Sequence, residues 1–153
     1  MKMLRLKIAL LVTVILASCS LSKNTSNKST VIEFKINAQG DFSRVTKKST
    51  YVVRNKNEQT IRNKNEQTIK SLDEFNIDAI DFKTTMLAEI FIGEKPSSGY
   101  KVILDTIIET DDSITIKYHI DKPEGIVMTV MTSPYIIIEI PQSSKEVIFS
   151  EDL

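Results

Sequence analysis

The chain has one cysteine, one histidine and no tryptophan among its 153 residues, and only four glycines and four prolines. A single cysteine excludes an intramolecular disulfide and a cysteine metal cluster, so an apolar core must supply the stability of any folded domain. A single histidine, His119, lacks the companions that a metal site or a base-activated nucleophile requires. It stands on an alternating run with Thr115 and Lys117, which predicts a position on the wet face of a strand. Charge of one sign is missing too, since 20 basic residues meet 20 acidic ones. That balance, with few and scattered aromatics, excludes the clustered basic surface and stacking platform of a nucleic-acid binder.

The N-terminus carries Lys2, Arg5 and Lys7 without an acidic residue, then an apolar run from Ile8 to Ala17 broken only by Thr13. The run falls short of the roughly 20 apolar residues that a permanent membrane span needs, and its charge and length are those of a signal peptide. Leu16, Ala17, Ser18 and Cys19 resemble the lipobox of bacterial lipoproteins, an aliphatic residue and two small ones before the cysteine that receives diacylglycerol. Residues 1–18 are therefore expected to be a lipoprotein signal peptide, with acyl chains such as palmitate on Cys19. The chain would be held on an envelope membrane facing away from the cytoplasm, the outer membrane where the cell has one. Loss of three of the 20 basic residues with the signal peptide leaves 17 against 20, a mildly acidic remainder.

Residues 19–30 would be the acylated cysteine and a flexible tether, because Ser20 to Thr30 is rich in Ser, Asn, Thr and Lys and nearly empty of apolar side chains. Residues 31–153 are expected to form a single β-rich domain. Val31 to Ile36 alternates, with Ile32, Phe34 and Ile36 facing one way, and a turn follows at Gly40 and Asp41. Thr50 to Val53 reads as a second strand. Residues 54–61 and 62–69 are the same octapeptide, RNKNEQTI, a local duplication that lengthens a loop or adds turns to a helix rather than a solenoid period. Ile69, Leu72 and Phe75 at helical spacing behind Asn65, a fair N-cap, predict the one helix of the domain.

Further strands are expected at Met86 to Ile92, Tyr100 to Ile108, Ser113 to Ile120, Ile126 to Met131, Tyr135 to Ile140 and Lys145 to Phe149. Turn residues separate them, among them Asp111 and Asp112 at a hairpin tip and Lys122 to Gly125 in a loop. The expected class is β-dominated α+β, a mostly antiparallel sheet or sandwich with one helix packed on it.

Catalytic groups are hard to find. Asp111 and Asp112 lack the interleaved oxygen ligands of a calcium loop and read as turn formers. Asp73 with Glu74, and Asp78 with Asp81, read as surface charge. Gly93 to Gly99 has neither the glycine spacing nor the following Lys of a phosphate loop. No catalytic residue, metal ligand or cofactor is expected. Two segments instead have the composition of recognition loops, Pro96, Ser97, Ser98, Gly99 and Tyr100 in one and Pro134 with Tyr135 in the other. As plain turns, they would place their tyrosines in or over the core.

In order and spacing, several residues resemble the C-terminal domain of the protease complex subunit PrcB family. They are Asp81 and Phe82, Phe91 to Pro96, Ser98, Gly99 and Tyr100, then Ser133, Pro134 and Tyr135 leading into a strand that ends at Pro141. The resemblance covers roughly residues 69–149, with Ser97 and Ser98 where Thr and Gly are common in the family. It implies an accessory lipoprotein without activity of its own that associates with and stabilises a surface protease complex. The expected partners are thus the membrane, through the N-terminal lipid, and a protease or other envelope protein. The alternative reading of the same residues is a lipoprotein that binds a small ligand or an envelope polymer in an aromatic-lined pocket.

Overall fold

The computed structural model describes residues 28–58, 60–62 and 68–152, so Cys19 and the expected signal peptide lie outside the described residues. Among the described residues ten strands run in chain order: β1 (Thr30–Val31), β2 (Lys35–Gly40), β3 (Ser49–Val53), β4 (Thr60–Arg62), β5 (Thr68–Lys70), β6 (Thr85–Phe91), β7 (Lys101–Glu109), β8 (Ser113–Asp121), β9 (Tyr135–Pro141) and β10 (Glu146–Asp152). They form two four-stranded sheets, β1-β7-β8-β10 and β2-β9-β6-β3, and a small ribbon of β4 and β5. All the pairings are antiparallel except that of β10, which lies parallel to β8. This is the expected β-dominated α+β class, as a sandwich.

The two sheets meet through alternate side chains. Met86, Ala88 and Ile90 of β6 and Ile136, Ile138 and Ile140 of β9 pack against Val102 and Ile107 of β7 and Ile114, Ile116 and Tyr118 of β8. Burying one such side chain contributes about 1.5–3 kcal/mol, so this layer is the main source of stability. β6 and β9 are covered on their other face as well. There Leu87, Ile137 and Val53 lie beneath Leu72, Phe75, Ile77, Ile80 and Phe82. These belong to a strap made of the one-turn helix α1 (Ser71–Glu74) and the irregular segment after it. Burial on both faces explains why β9 reads Tyr-Ile-Ile-Ile-Glu-Ile without alternation.

Three local expectations are corrected. The helix is confined to Ser71–Glu74, with Lys70 at its N-cap, because Ile69 is paired with Ile61 in the ribbon instead of starting a helical turn. Asn76, at φ 50°, ends it, while the expected cap Asn65 lies outside the described residues. The alternating run Val31 to Ile36 is not one strand. Its first part pairs with β7, Ile32 N–H still donates to the Ile107 carbonyl (3.0 Å), and the chain then crosses to the other sheet as β2. Ile126 to Met131, apolar and β-branched enough to read as a strand, forms no ladder; it runs exposed from β8 to β9. The Asp111–Asp112 hairpin forms as expected, closed by Thr110 N–H donating to the Ser113 carbonyl at 2.8 Å.

Candidate functional site

The register of β7 defines two poles. Lys101 pairs with Asp121 at one end, and Glu109 with Ile114 and Thr30 at the other. The first pole gathers segments 41–48, 93–100 and 122–134, so both expected recognition loops belong to it. They are fastened to each other by backbone bonds. Lys95 and Thr132 exchange N–H to carbonyl bonds of 2.8 and 3.0 Å, and Thr132 Oγ1 donates to the Ser97 carbonyl at 2.9 Å. Ser98 N–H donates to the Met128 carbonyl (3.0 Å), and Met128 N–H donates back to Ser98 Oγ (3.3 Å).

A third segment joins them. Ser43 N–H donates to both the carbonyl and Oγ of Ser133 (3.0 and 2.9 Å), Ser133 N–H donates to the Asp41 carbonyl (2.8 Å), and Ser133 Oγ donates to the Ser43 carbonyl. The serines of the two expected loops therefore act as fasteners between segments. Gly93, at φ +73°, is also constrained, since a Cβ there would lie 2.9 Å from Lys48 N and from the Thr46 carbonyl oxygen. The Gly-Pro and Gly-Tyr pattern of the sequence thus has a mechanical cause in close backbone approach.

The expected site residues do not share one surface. Pro96 is exposed, Ser97 to Tyr100 are half-buried, and Pro134 is buried with its carbonyl accepting from Ile92 N–H at 3.2 Å. Tyr100 packs against the layer between the sheets, and Lys95 Nζ lies 5.8 Å from its ring centroid. Tyr135 faces the opposite side of its sheet. Its ring lies 4.4 Å from Phe75 and 6.1 Å from Phe91 between centroids, beneath the strap. Burial, and then the charge of Glu74, raise the Tyr135 hydroxyl above its ordinary range.

Two features escaped the sequence reading. The first is the exposed row Ile126, Val127, Met128, Val130 and Met131 beside the Ser98 loop, with Phe42 exposed on the neighbouring segment. Its apolar composition was visible; its lack of a strand partner was not. The second is Glu89, fully buried on β6 between Leu87 and Phe91. Both its oxygens and the hydroxyl of Ser71 above it lack hydrogen-bond partners. Burial pushes the Glu89 carboxyl up to about 7; the nearby Ser71 hydroxyl tempers that rise without reaching hydrogen-bonding geometry. The group is an unpaired, buried carboxyl. Its position within an otherwise apolar strand was the only sequence signal.

Other titratable groups form pairs nearer the surface. His119 Nδ1 lies 2.8 Å from Asp105 Oδ1 across β7 and β8, both partly exposed. Glu139 is held below the usual carboxylate range by Asn37, with Lys35 Nζ 3.7 Å away. Among the described residues, no group of three or more His, Cys, Asp or Glu side chains is placed to hold a metal ion. Open clefts of about 350 and 330 Å³ lie along the strap, the larger bordered by Leu72, Ile77, Ile80 and Phe82. Neither Tyr100 nor Tyr135 lines them.

Two of the three segments of the loop pole, 93–100 and 122–134, fall within a match to a known family. Residues 86–141 match the family described as PrcB C-terminal. The matched segment is narrower than the span 69–149 expected from the motif order. It takes in β6 to β9 and both recognition loops, and leaves the tandem octapeptides, the strap and β10 outside. Comparison with curated proteins and with solved structures gave no match. The coarse role that the match supports is that of an accessory domain associated with a protease complex.

Proposed function

We propose that the chain is a non-enzymatic envelope lipoprotein, acylated on Cys19, whose domain works by binding another protein, foremost a subunit of a protease complex. The PrcB C-terminal match carries this reading, because the matched segment contains both loops of the pole and the strands that hold them. The physical arrangement supports it. Two loops cross-linked through Lys95, Ser97, Ser98 and Thr132 present a fixed surface on a rigid sandwich, which lowers the ordering cost of association. The chemistry of Cys19 fits the lipobox at Leu16 to Cys19, and multiple acyl chains hold a protein on a membrane far longer than one does.

The test is a pull-down of the acylated protein from solubilised envelope, with labelled palmitate reporting on acylation and Cys19→Ala as its control. Recovery of a protease subunit, identified by mass and diminished by Pro96→Ala or Tyr100→Ala in folded protein, supports the accessory role. Recovery of no protein partner by abundant, folded, acylated wild type overturns it. Failure to incorporate label at Cys19 overturns the anchor separately.

A further inference from the structure

Residues 124–131 are exposed without interruption, and Thr132, Ser133 and Pro134 are then buried at once. Within the exposed stretch Ile126 has no cover at all, and Met128 and Met131 are 71% and 57% exposed. Scattered exposed apolar residues are ordinary, but a contiguous row of aliphatic and methionine side chains marks an interaction surface. This row is also held in place. Met128 is tied at both backbone groups to Ser98, and Val130 N–H donates to the Met128 carbonyl at 3.0 Å.

We propose that this crest docks a separate protein carrying an uncharged apolar groove, into which Ile126, Met128 and Met131 insert. Three observations select that occupant. The stretch from Gly125 to Pro134 contains no charged residue, so it has nothing to offer anionic headgroups or an acidic or basic partner face. It also contains no tryptophan or tyrosine of the kind that settles at a bilayer interface, whereas methionines suit protein grooves because they repack at little cost.

The third observation is polarity, and it rests on the lipid anchor proposed above. The described chain enters at Thr30 and Val31, which pair with Glu109 and Ile108, whereas the crest follows Asp121, which pairs with Lys101. A strand the length of β7 separates these poles by roughly 27 Å at about 3.3 Å per residue. With Cys19 in the membrane, the crest faces away from the lipid toward other proteins.

The experiment places a photo-crosslinking amino acid at position 128, 96 or 148 of the full acylated chain in the producing cell. The expected result is an adduct from position 128 with one other protein, identified by mass spectrometry and persisting at high salt. Excess wild-type chain should displace it, and the folded Ile126→Ser/Met131→Ser chain should do so about tenfold less well. An adduct with lipid overturns the proposal, as does flotation of the delipidated wild type, but not the variant, with phosphatidylethanolamine–phosphatidylglycerol vesicles. A crosslinked dimer of this chain overturns it too. Adducts from 96 or 148 alone overturn the crest while leaving the accessory role standing, and no adduct from any position overturns both.

Discussion

Gly99 and Pro123 approach so closely that a Cβ on the glycine would lie 2.8 Å from the proline Cβ. Gly99 also has φ +91°, so a side chain there meets both backbone strain and overlap. Gly125, a few residues on, has φ +76° with open space around it. Gly99→Ala is therefore expected to cost about 2–3 kcal/mol and Gly125→Ala about 1 kcal/mol. Urea unfolding midpoints of the two variants check the difference. Equal costs would mean that the Gly99–Pro123 contact does not hold the loops together.

The aromatic cluster gives a second expectation. Tyr135 lies against Phe75 and Phe91, and Phe91 meets Tyr51 edge-on at 6.0 Å between ring centroids. Tyr135→Ala should cost about 2–3 kcal/mol through lost packing, whereas Tyr135→Phe should cost less than about 1 kcal/mol. Thermal unfolding of both variants checks this. A large loss in Tyr135→Phe would assign the hydroxyl a role that its packing does not reveal.

These residues also show how far sequence pattern reached. Alternation identified the strands that are wet on one face, as in β8, where Ile114, Ile116 and Tyr118 are buried and Lys117 and His119 are not. It misled where apolar content was not a sign of pairing. Ile126 to Met131 has strand composition, yet its backbone bonds go to a loop, and only tertiary context decides that. The helix failed in the opposite direction. Leu72 and Phe75 do face the sheet, as helical spacing implied, but Ile69 pairs with its own duplicate and leaves a single turn. The glycines, prolines and tyrosines of the site could be read as a set, while the division of Tyr100 and Tyr135 between two faces could not. That division depends on which layer covers each sheet.

The duplication carries its own prediction. In the ribbon Ile61 pairs with Ile69, the same position of the two octapeptides. Arg54 in the first copy is tied to the sandwich, donating from Nε to the Ser143 carbonyl (3.1 Å) and from Nη2 to the Lys145 carbonyl (2.9 Å). Deleting residues 62–69 removes one copy and the ribbon but keeps Arg54. Loop shortening changes closure entropy by well under about 1 kcal/mol, so Tm should shift by less than about 4 °C. Arg54→Ala, which abandons two part-buried carbonyl contacts, should destabilise more than the deletion does. Calorimetry on the two variants decides the order.

Glu89 supplies the pH dependence. Its carboxyl is pushed from an ordinary 4.5 up to about 7 by burial under the strap. Below about pH 4.5 it is protonated folded and unfolded alike and carries no penalty. Between 4.5 and about 7 the unfolded chain releases the proton while the folded chain keeps it, so stability falls as pH rises. Above about 7 both states are ionised and the loss levels off. A displacement of this size corresponds to about 3 kcal/mol. Glu89→Gln keeps the shape without the charge, so it should lie within about 1 kcal/mol of wild type at pH 4.5 and be more stable by up to about 3 kcal/mol at pH 8. Urea unfolding at pH 4.5, 6 and 8 measures the difference. A gap that does not grow with pH would mean that Glu89 is relieved by water or by a partner reaching under the strap. Because Ser71 and Phe75 belong to that strap, hydrogen exchange at residues 71–82 should quicken with pH in wild type, beyond the intrinsic rate, and should not in Glu89→Gln.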